Sequence, residues 1–244
     1  MIILIGKRSR LTEAISQQLH DCLIVSTHDA LTLKKFDNAK TIIICSAITN
    51  PRTTVEEIEE INVKLPISIF ENNPTAEIVT FGTVLEKHKF VDNAYVASKR
   101  MLCHNMSSRA GYWKHYRLNT LYGIGEPKKH MFLSDLLRSI RSKSTFEMSS
   151  GYQMREYHHY YDLAAVLESE LTTKKYGELE ISSGSAISLY NLAKGVIEYL
   201  GIPIRIAVTQ DMHDSIVTTN HQYQSSHIFR DPIAGVGNYF KSLI

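Results

Sequence analysis

The chain has 244 residues, 43% of them hydrophobic, and a formal charge of +2, which suits a globular α/β chain with a sizeable core. So slight a positive excess, with no long basic block, argues against a nucleic-acid partner. No apolar run approaches the ~20 residues that span a bilayer, so no membrane role is expected.

The start is apolar, Met1-Ile2-Ile3-Leu4-Ile5, and then basic. That order reverses a secretory signal peptide and reads as a first strand ending at Gly6. Leu11, Ala14, Ile15 and Leu19 then share one face of a helix. Apolar runs at Cys22–Val25, Thr41–Cys45 and Ile78–Phe81 read as further strands. Short apolar runs separated by helical stretches predict βαβ units and a parallel sheet covered on both faces. Such sheets bind ligands at the carboxyl ends of their strands.

Tyr95-Val96-Ala97-Ser98-Lys99 follows. On a helix, Tyr95 and Lys99 project from one face. A tyrosine of pKa about 10 exchanges protons poorly at neutral pH. A neighbouring ammonium favours its phenolate and lowers that value, so the pair suits proton transfer to a substrate oxygen while hydride moves at the adjacent carbon.

Five segments in order, Gly6–Thr12, Tyr95–Lys99, Arg117–Gly125, Arg155–Ala164 and Gly177–Leu189, resemble motifs of the extended, nucleotide-sugar-modifying branch of the short-chain dehydrogenase/reductase superfamily. The resemblance implies a Rossmann-like doubly wound sheet carrying the dinucleotide, residues 1–118. A C-terminal substrate lobe follows, residues 119–244, with a strand near Leu179–Ile181 and a helix at Leu189–Leu200 returning to the main body. Gly201-Ile202-Pro203 ends that helix.

Tyr95 and Lys99 match the family's catalytic pair. Its third group, a serine or threonine after the fourth strand, aligns with Phe81, so Thr83 or Thr80 must substitute, Thr83 being preferred. The glycine-rich turn corresponds to Gly6, Lys7, Arg8, Ser9, Arg10, Leu11 and Thr12, with Ser9 and Thr12 replacing two glycines. Thr12 is expected to push the helix slightly outward, and the site to be adjusted, weakened or lost. Ser26 and Ala47, at later strand ends, are further expected cofactor contacts.

An NAD site usually carries an acid at the end of the second strand. Here Asp29 comes late, and Lys7, Arg8 and Arg10 crowd the first turn. Arginine suits a 2′-phosphate, so NADP(H) is favoured, with NAD(H) open.

Arg155 matches the arginine that contacts the pyrophosphate of a nucleotide sugar, and Asn119 a residue framing the substrate. Lys128, Lys129 and His130 add positive charge nearby. The implied activity is NADP(H)-linked reduction of a nucleotide-activated keto-sugar, by analogy a 4-keto-6-deoxy sugar. An NAD-dependent epimerase or dehydratase, or a non-catalytic binding protein on this fold, are the alternatives. Family analogy and the prevalence of C2 assemblies suggest a homodimer.

Cys22, Cys45 and Cys103 fit neither a disulfide framework nor zinc spacing and suit a reducing cytoplasm. Adjacent His158 and His159 would point to opposite faces of a strand, so no metal is expected.

Overall fold

A computed structural model describes residues 1–50, 52–89, 91, 93–129, 131–209 and 228–244. In chain order it runs β1 (Ile2–Ile5), α1 (Arg10–Gln18), β2 (Cys22–Val25), α2 (Thr27–Leu33), β3 (Thr41–Ile44), α3 (Val55–Glu59), a π-helical turn (Glu60–Lys64), α4 (Leu65–Asn72), β4 (Glu77–Thr83), a 3-10 turn (Val84–Lys87), α5 (Ala94–Ser107) and β5 (Trp113–Leu118). Then come β6 (Thr120–Tyr122), α6 (Phe132–Ser142), β7 (Phe146–Met148), β8 (Met154–Arg155), β9 (Tyr157–His159), α7 (Tyr160–Leu171), β10 (Gly177–Glu180), β11 (Ile187–Ser188), α8 (Leu189–Leu200), β12 (Ile206–Val208) and α9 (Pro232–Lys241). His130 and residues 210–227 lie outside the described residues, as do the predictions that fall there.

The chain forms two units: Met1–Leu118 with Ala164–Ile181, and Asn119–Leu163 with Ser182–Ile244. The first is built on a parallel sheet of order β10-β5-β4-β3-β1-β2. Its central strands are continuous apolar runs because helices cover both faces. Ile3, Ile5, Ile42, Ile44 and Ile78 face a cluster completed by Leu65, Ile69, Leu102, Met106 and Trp113.

Lys114, on β5 between β10 and β4, is fully buried. Its ammonium pairs with Glu77 at 3.3 Å and donates to the carbonyls of Glu170 (2.9 Å) and Thr173 (2.8 Å). A buried cation needs such partners, and here it caps the C-terminal end of α7, where cations are favoured.

The second unit has its own core, in which Leu133, Leu136, Leu137, Phe146, Leu192, Val196 and Phe240 meet. The helix expected to return with the main body, α8, belongs to this unit, whereas β10 extends the first unit's sheet beside β5. Gly201 closes α8 with φ +65°, and Ile202 N–H donates to the Ile197 carbonyl. That is a glycine C-terminal motif with the chain leaving toward Pro203. No described helix is long and apolar enough to cross a membrane.

Candidate active site

Gly6, Ser26, Ala47 and Thr83 follow or end β1, β2, β3 and β4, and so lie at one end of the first unit's parallel sheet. Gly6 has φ +115°, and a Cβ there would sit 2.9 Å from the Ser46 nitrogen. Only glycine fits that close approach. Ser9 caps α1, its Oγ accepting from Leu11 N–H at 3.2 Å, while its own N–H donates to the Gly6 carbonyl at 2.8 Å.

Thr12, in place of the last family glycine, is 1% exposed. Its hydroxyl donates to the Gly6 carbonyl at 2.8 Å. The larger side chain is therefore accommodated by tying the helix's first turn to the strand end. Leu11 is buried, Arg10 half-buried, and Lys7 and Arg8 exposed. Ser26 caps α2 and donates to the Asp29 carboxylate at 2.7 Å, so Asp29 is engaged in the cap. Ala47 is exposed in the loop after β3.

Tyr95 and Lys99 lie one turn apart on α5, whose N-terminus is capped by Asn93. Tyr95 is half-buried and Lys99 is 4% exposed. The Lys99 Nζ stands 5.9 Å from the Tyr95 ring centroid. Burial pushes the ammonium down to about 8, against the opposing pull of Glu86.

A residue the sequence reading passed over is Asn62, fully buried in the π-helical turn. Its Oδ1 accepts from Ile48 N–H at 2.8 Å, and its Nδ2 donates to the Ile48 carbonyl and to Ser98 Oγ, each at 3.0 Å. Ser98 in turn donates to the Tyr95 carbonyl at 2.7 Å. Asn62 thus ties the loop after β3 to the helix bearing the Tyr-Lys pair. Pro66 follows four residues on and has no N–H to give the Asn62 carbonyl, which accounts for the π-helical turn. The available signal was one asparagine on the buried stripe Ile58, Asn62, Leu65, Ile69.

Thr80 is 1% exposed, and its Oγ1 lies 2.8 Å from His115 Nδ1. It sits within the sheet and away from the strand's end. Thr83 is at that end, its Oγ1 accepting from Leu85 N–H at 3.3 Å. Phe81, aligned with the family hydroxyl, is buried and stacks on Tyr116 at 6.4 Å.

Below them, Glu86 accepts from Thr83 N–H (2.6 Å) and Arg117 Nε (3.2 Å), and lies 3.2 Å from His115 Nε2. Burial opposes its charge, but His115, the Thr83 amide and Arg117 hold the carboxyl below its ordinary value. Glu86, Cys103 and His115 bring ligand-type atoms within 4.8 Å of one another. The Arg117 guanidinium already neutralises that carboxylate, which is the arrangement of an ion-pair network.

Asn119 and Arg155 belong to the second unit. Asn119, half-buried, precedes β6. Arg155 ends β8, half-buried. It donates to Gln153 Oε1 at 3.1 Å and has no carboxylate partner among the described residues. Burial lowers its pKa. The next residue, Glu156, is fully buried and accepts from Ser182 Oγ (2.7 Å), Ser183 N–H (2.6 Å) and Ser183 Oγ (2.9 Å), with His158 Nε2 at 2.9 Å. It fastens the Arg155 segment to the Ser182–Gly184 turn.

No protein-family model matches the sequence. No curated protein matches it. Solved structures do. A dTDP-4-dehydrorhamnose reductase from Bacillus anthracis, in complex with NADP, superposes with a TM-score of 0.78 at 14% identity, covering 99% of this chain and 97% of that one. A dTDP-glucose 4,6-dehydratase from the same organism, in complex with NAD, gives 0.76 at 11% identity over 98% and 95%. A UDP-N-acetylglucosamine 4-epimerase from Methanobrevibacter ruminantium, in complex with UDP-N-acetylmuramic acid, gives 0.76 at 10% identity over 100% and 98%. From end to end, the chain has the Rossmann-like α/β fold on which these nucleotide-sugar reductases, dehydratases and epimerases are built.

Proposed function

We propose that the protein is a member of the extended short-chain dehydrogenase/reductase family and an NADP(H)-linked reductase of a nucleotide-activated keto-sugar. The observation that carries this reading is Lys99, a buried ammonium one helical turn from a half-buried tyrosine. Burying an ammonium is costly, and it is explained where a phenolate and ribose hydroxyls are to be held.

The glycine cradle fits a dinucleotide. Gly6 leaves no Cβ in the turn, and the amide end of α1 opens beside it, the arrangement that favours a pyrophosphate. Lys7 and Arg8 are exposed there without an acidic partner among the described residues, and Asp29 is bound to Ser26. That combination favours a 2′-phosphate over a free 2′-hydroxyl.

When bound, the cofactor supplies hydride to the sugar carbonyl carbon. Tyr95 gives its proton to the developing alkoxide oxygen. Lys99 lowers the Tyr95 pKa and holds the nicotinamide ribose. Thr83, at the strand end, orients the carbonyl; Thr80 is committed to His115. Arg155 binds the sugar nucleotide's diphosphate, for which a half-buried guanidinium without a carboxylate partner among the described residues is suited, and Asn119 frames the sugar.

Titrating the protein with NADPH and NADH separately, by nicotinamide fluorescence and calorimetry, tests the reading. Selective NADPH binding followed by turnover of a 4-keto-6-deoxy sugar nucleotide is expected. Tight NADH binding without net reduction would instead indicate an epimerase or dehydratase. Binding of neither would make this a non-catalytic protein on the same fold.

A further inference from the structure

Arg155 ends β8, a strand of two residues, Met154 and Arg155. So short a strand does not fix its own place; other parts of the second unit hold it. On its N-terminal side, Leu189 N–H at the start of α8 donates to the Gln153 carbonyl at 3.0 Å. Across its width, Arg155 pairs with Ile187 of β11. On its C-terminal side stands Glu156, whose side chain is fully buried and whose carbonyl accepts from Thr120 N–H at 3.2 Å.

The Glu156 carboxylate gathers its donors from two directions. Oε1 accepts from Ser182 Oγ at 2.7 Å, and Oε2 from the Ser183 amide at 2.6 Å and Ser183 Oγ at 2.9 Å. His158 Nε2 stands 2.9 Å from the same Oε2. An ionised carboxylate only accepts, which places the His158 proton on Nε2. The other ring nitrogen, Nδ1, has no hydrogen-bond partner among the described residues, and the ring centroid lies 4.4 Å from that of Phe229. The serines are themselves tied into a turn: Gly184 N–H donates to Ser182 Oγ at 3.1 Å, and Ser185 N–H to Ser183 Oγ at 3.2 Å. A buried carboxylate is costly unless its oxygens are occupied in this way, and a buried polar network so satisfied is rigid.

We propose that Glu156 is a positioning residue, which sets the Arg155 guanidinium where the second phosphate of a nucleoside diphosphate binds. The proposal rests on the reading of Arg155 as the diphosphate ligand of a nucleotide-sugar reductase. The turn that Glu156 grips runs directly into β11, the strand that pairs with Arg155. Residues 182–188 are therefore a strap fastened to the Arg155 segment at two places, by the β11–β8 ladder at one end and by the Glu156 carboxylate at the other. A guanidinium reads a phosphate through parallel N–H bonds of fixed geometry. A displacement too small to unfold the lobe is thus enough to weaken that contact. The backbone bonds set the path of the chain, and the Glu156 side chain sets how far the strap can slide.

The test is calorimetric titration of the whole chain with UDP, dTDP and the matching monophosphates, with folding checked by circular dichroism. Arg155→Met is expected to weaken diphosphate binding about tenfold and to leave monophosphate binding unchanged. Glu156→Ala should show the same selective loss, and should add nothing further in the Arg155→Met background, because effects that act through one shared group do not add. Glu156→Gln keeps the side chain's length and an acceptor oxygen for Ser183, so its affinity should stay within about twofold of the native value. Ser183→Ala removes a hydroxyl donor and should give a smaller loss of the same kind, which decides the matter if Glu156→Ala does not fold. Four results would overturn the proposal: unmoved diphosphate affinity in the folded variant, an equal loss for the monophosphate, a loss that adds in full to that of Arg155→Met, or native protein that binds neither diphosphate. The selective, non-additive loss in protein that turns over no keto-sugar nucleotide upholds the positioning role and removes the reductase reading. Turnover with additive losses does the reverse.

Discussion

At the residue scale, Tyr95 and Arg155 are expected to fail differently. Tyr95→Phe removes one hydroxyl, so NADPH affinity should hold while kcat falls at least about 100-fold, the usual range for a general acid. Arg155→Met removes a guanidinium that has no carboxylate partner among the described residues, so stability should change little and KM for the sugar nucleotide should rise. A comparable fall in thermal stability in Arg155→Met would show that Arg155 is structural. Gly82 gives a packing test of another kind. Its missing Cβ makes room for Glu86 Oε1 and for His115 Nε2, which would lie at 2.3 Å. Gly82→Ala overpacks a buried, hydrogen-bonded pair and should cost about 1–3 kcal/mol, read as a fall in Tm of several degrees.

Among elements, the π-helical turn links sequence most directly to site. Pro66 withholds a donor, the helix widens, and Asn62 reaches both Ile48 and Ser98. Asn62→Ala should leave the Ile48 amide and carbonyl without their partner and cost about 1–3 kcal/mol, with weaker NADPH binding because the loop after β3 is released. Unchanged cofactor affinity would confine Asn62 to stability. The parallel strands were legible as unbroken apolar runs: β3 was placed within one residue because burial on both faces writes it so, and Cys22–Val25 was placed as observed although Leu23 and Ile24 are exposed on this edge strand. The Tyr-Lys spacing was legible because one helical turn separates the two residues. Asn62 was not, since one polar residue in an apolar stripe has no period of its own. The Glu86–His115–Arg117 network was not either, because its members come from a turn and a strand with 28 or more residues between them and meet only when β4 and β5 pair. The Thr12 substitution read as a loss of helix–strand fit; its hydroxyl's bond to Gly6 becomes visible only in the folded turn.

For the whole molecule, the charge network ties stability to pH with a definite sign. Glu86 and Glu178 both have carboxyl pKa values below the ordinary 4.5. Burial opposes each charge, and the partners overcome it: His115, the Thr83 amide and Arg117 for Glu86, and Cys103 and Arg117 for Glu178. A carboxylate whose pKa is depressed on folding binds fewer protons folded than unfolded in the interval between the two values. Its stabilising contribution is full above 4.5 and disappears as pH falls through the folded value. Lys99 acts at the other end. Its folded value of about 8 lies below the ordinary 10.5, so the unfolded chain binds the extra proton in that interval, and the penalty of burying this ammonium eases as pH rises from about 8 toward 10.5. Chemical denaturation at constant ionic strength should show stability falling below pH 4.5. In Glu178→Gln that acid fall should be shallower, with the alkaline side unchanged. In Lys99→Met the gain between about pH 8 and 9, below the range in which Cys45 and Cys103 ionise on unfolding, should vanish, while the acid fall persists through Glu86. An acid limb that disappears in Lys99→Met but persists unchanged in Glu178→Gln would reverse this assignment and place the pH-sensitive charge on the helix, not on the sheet.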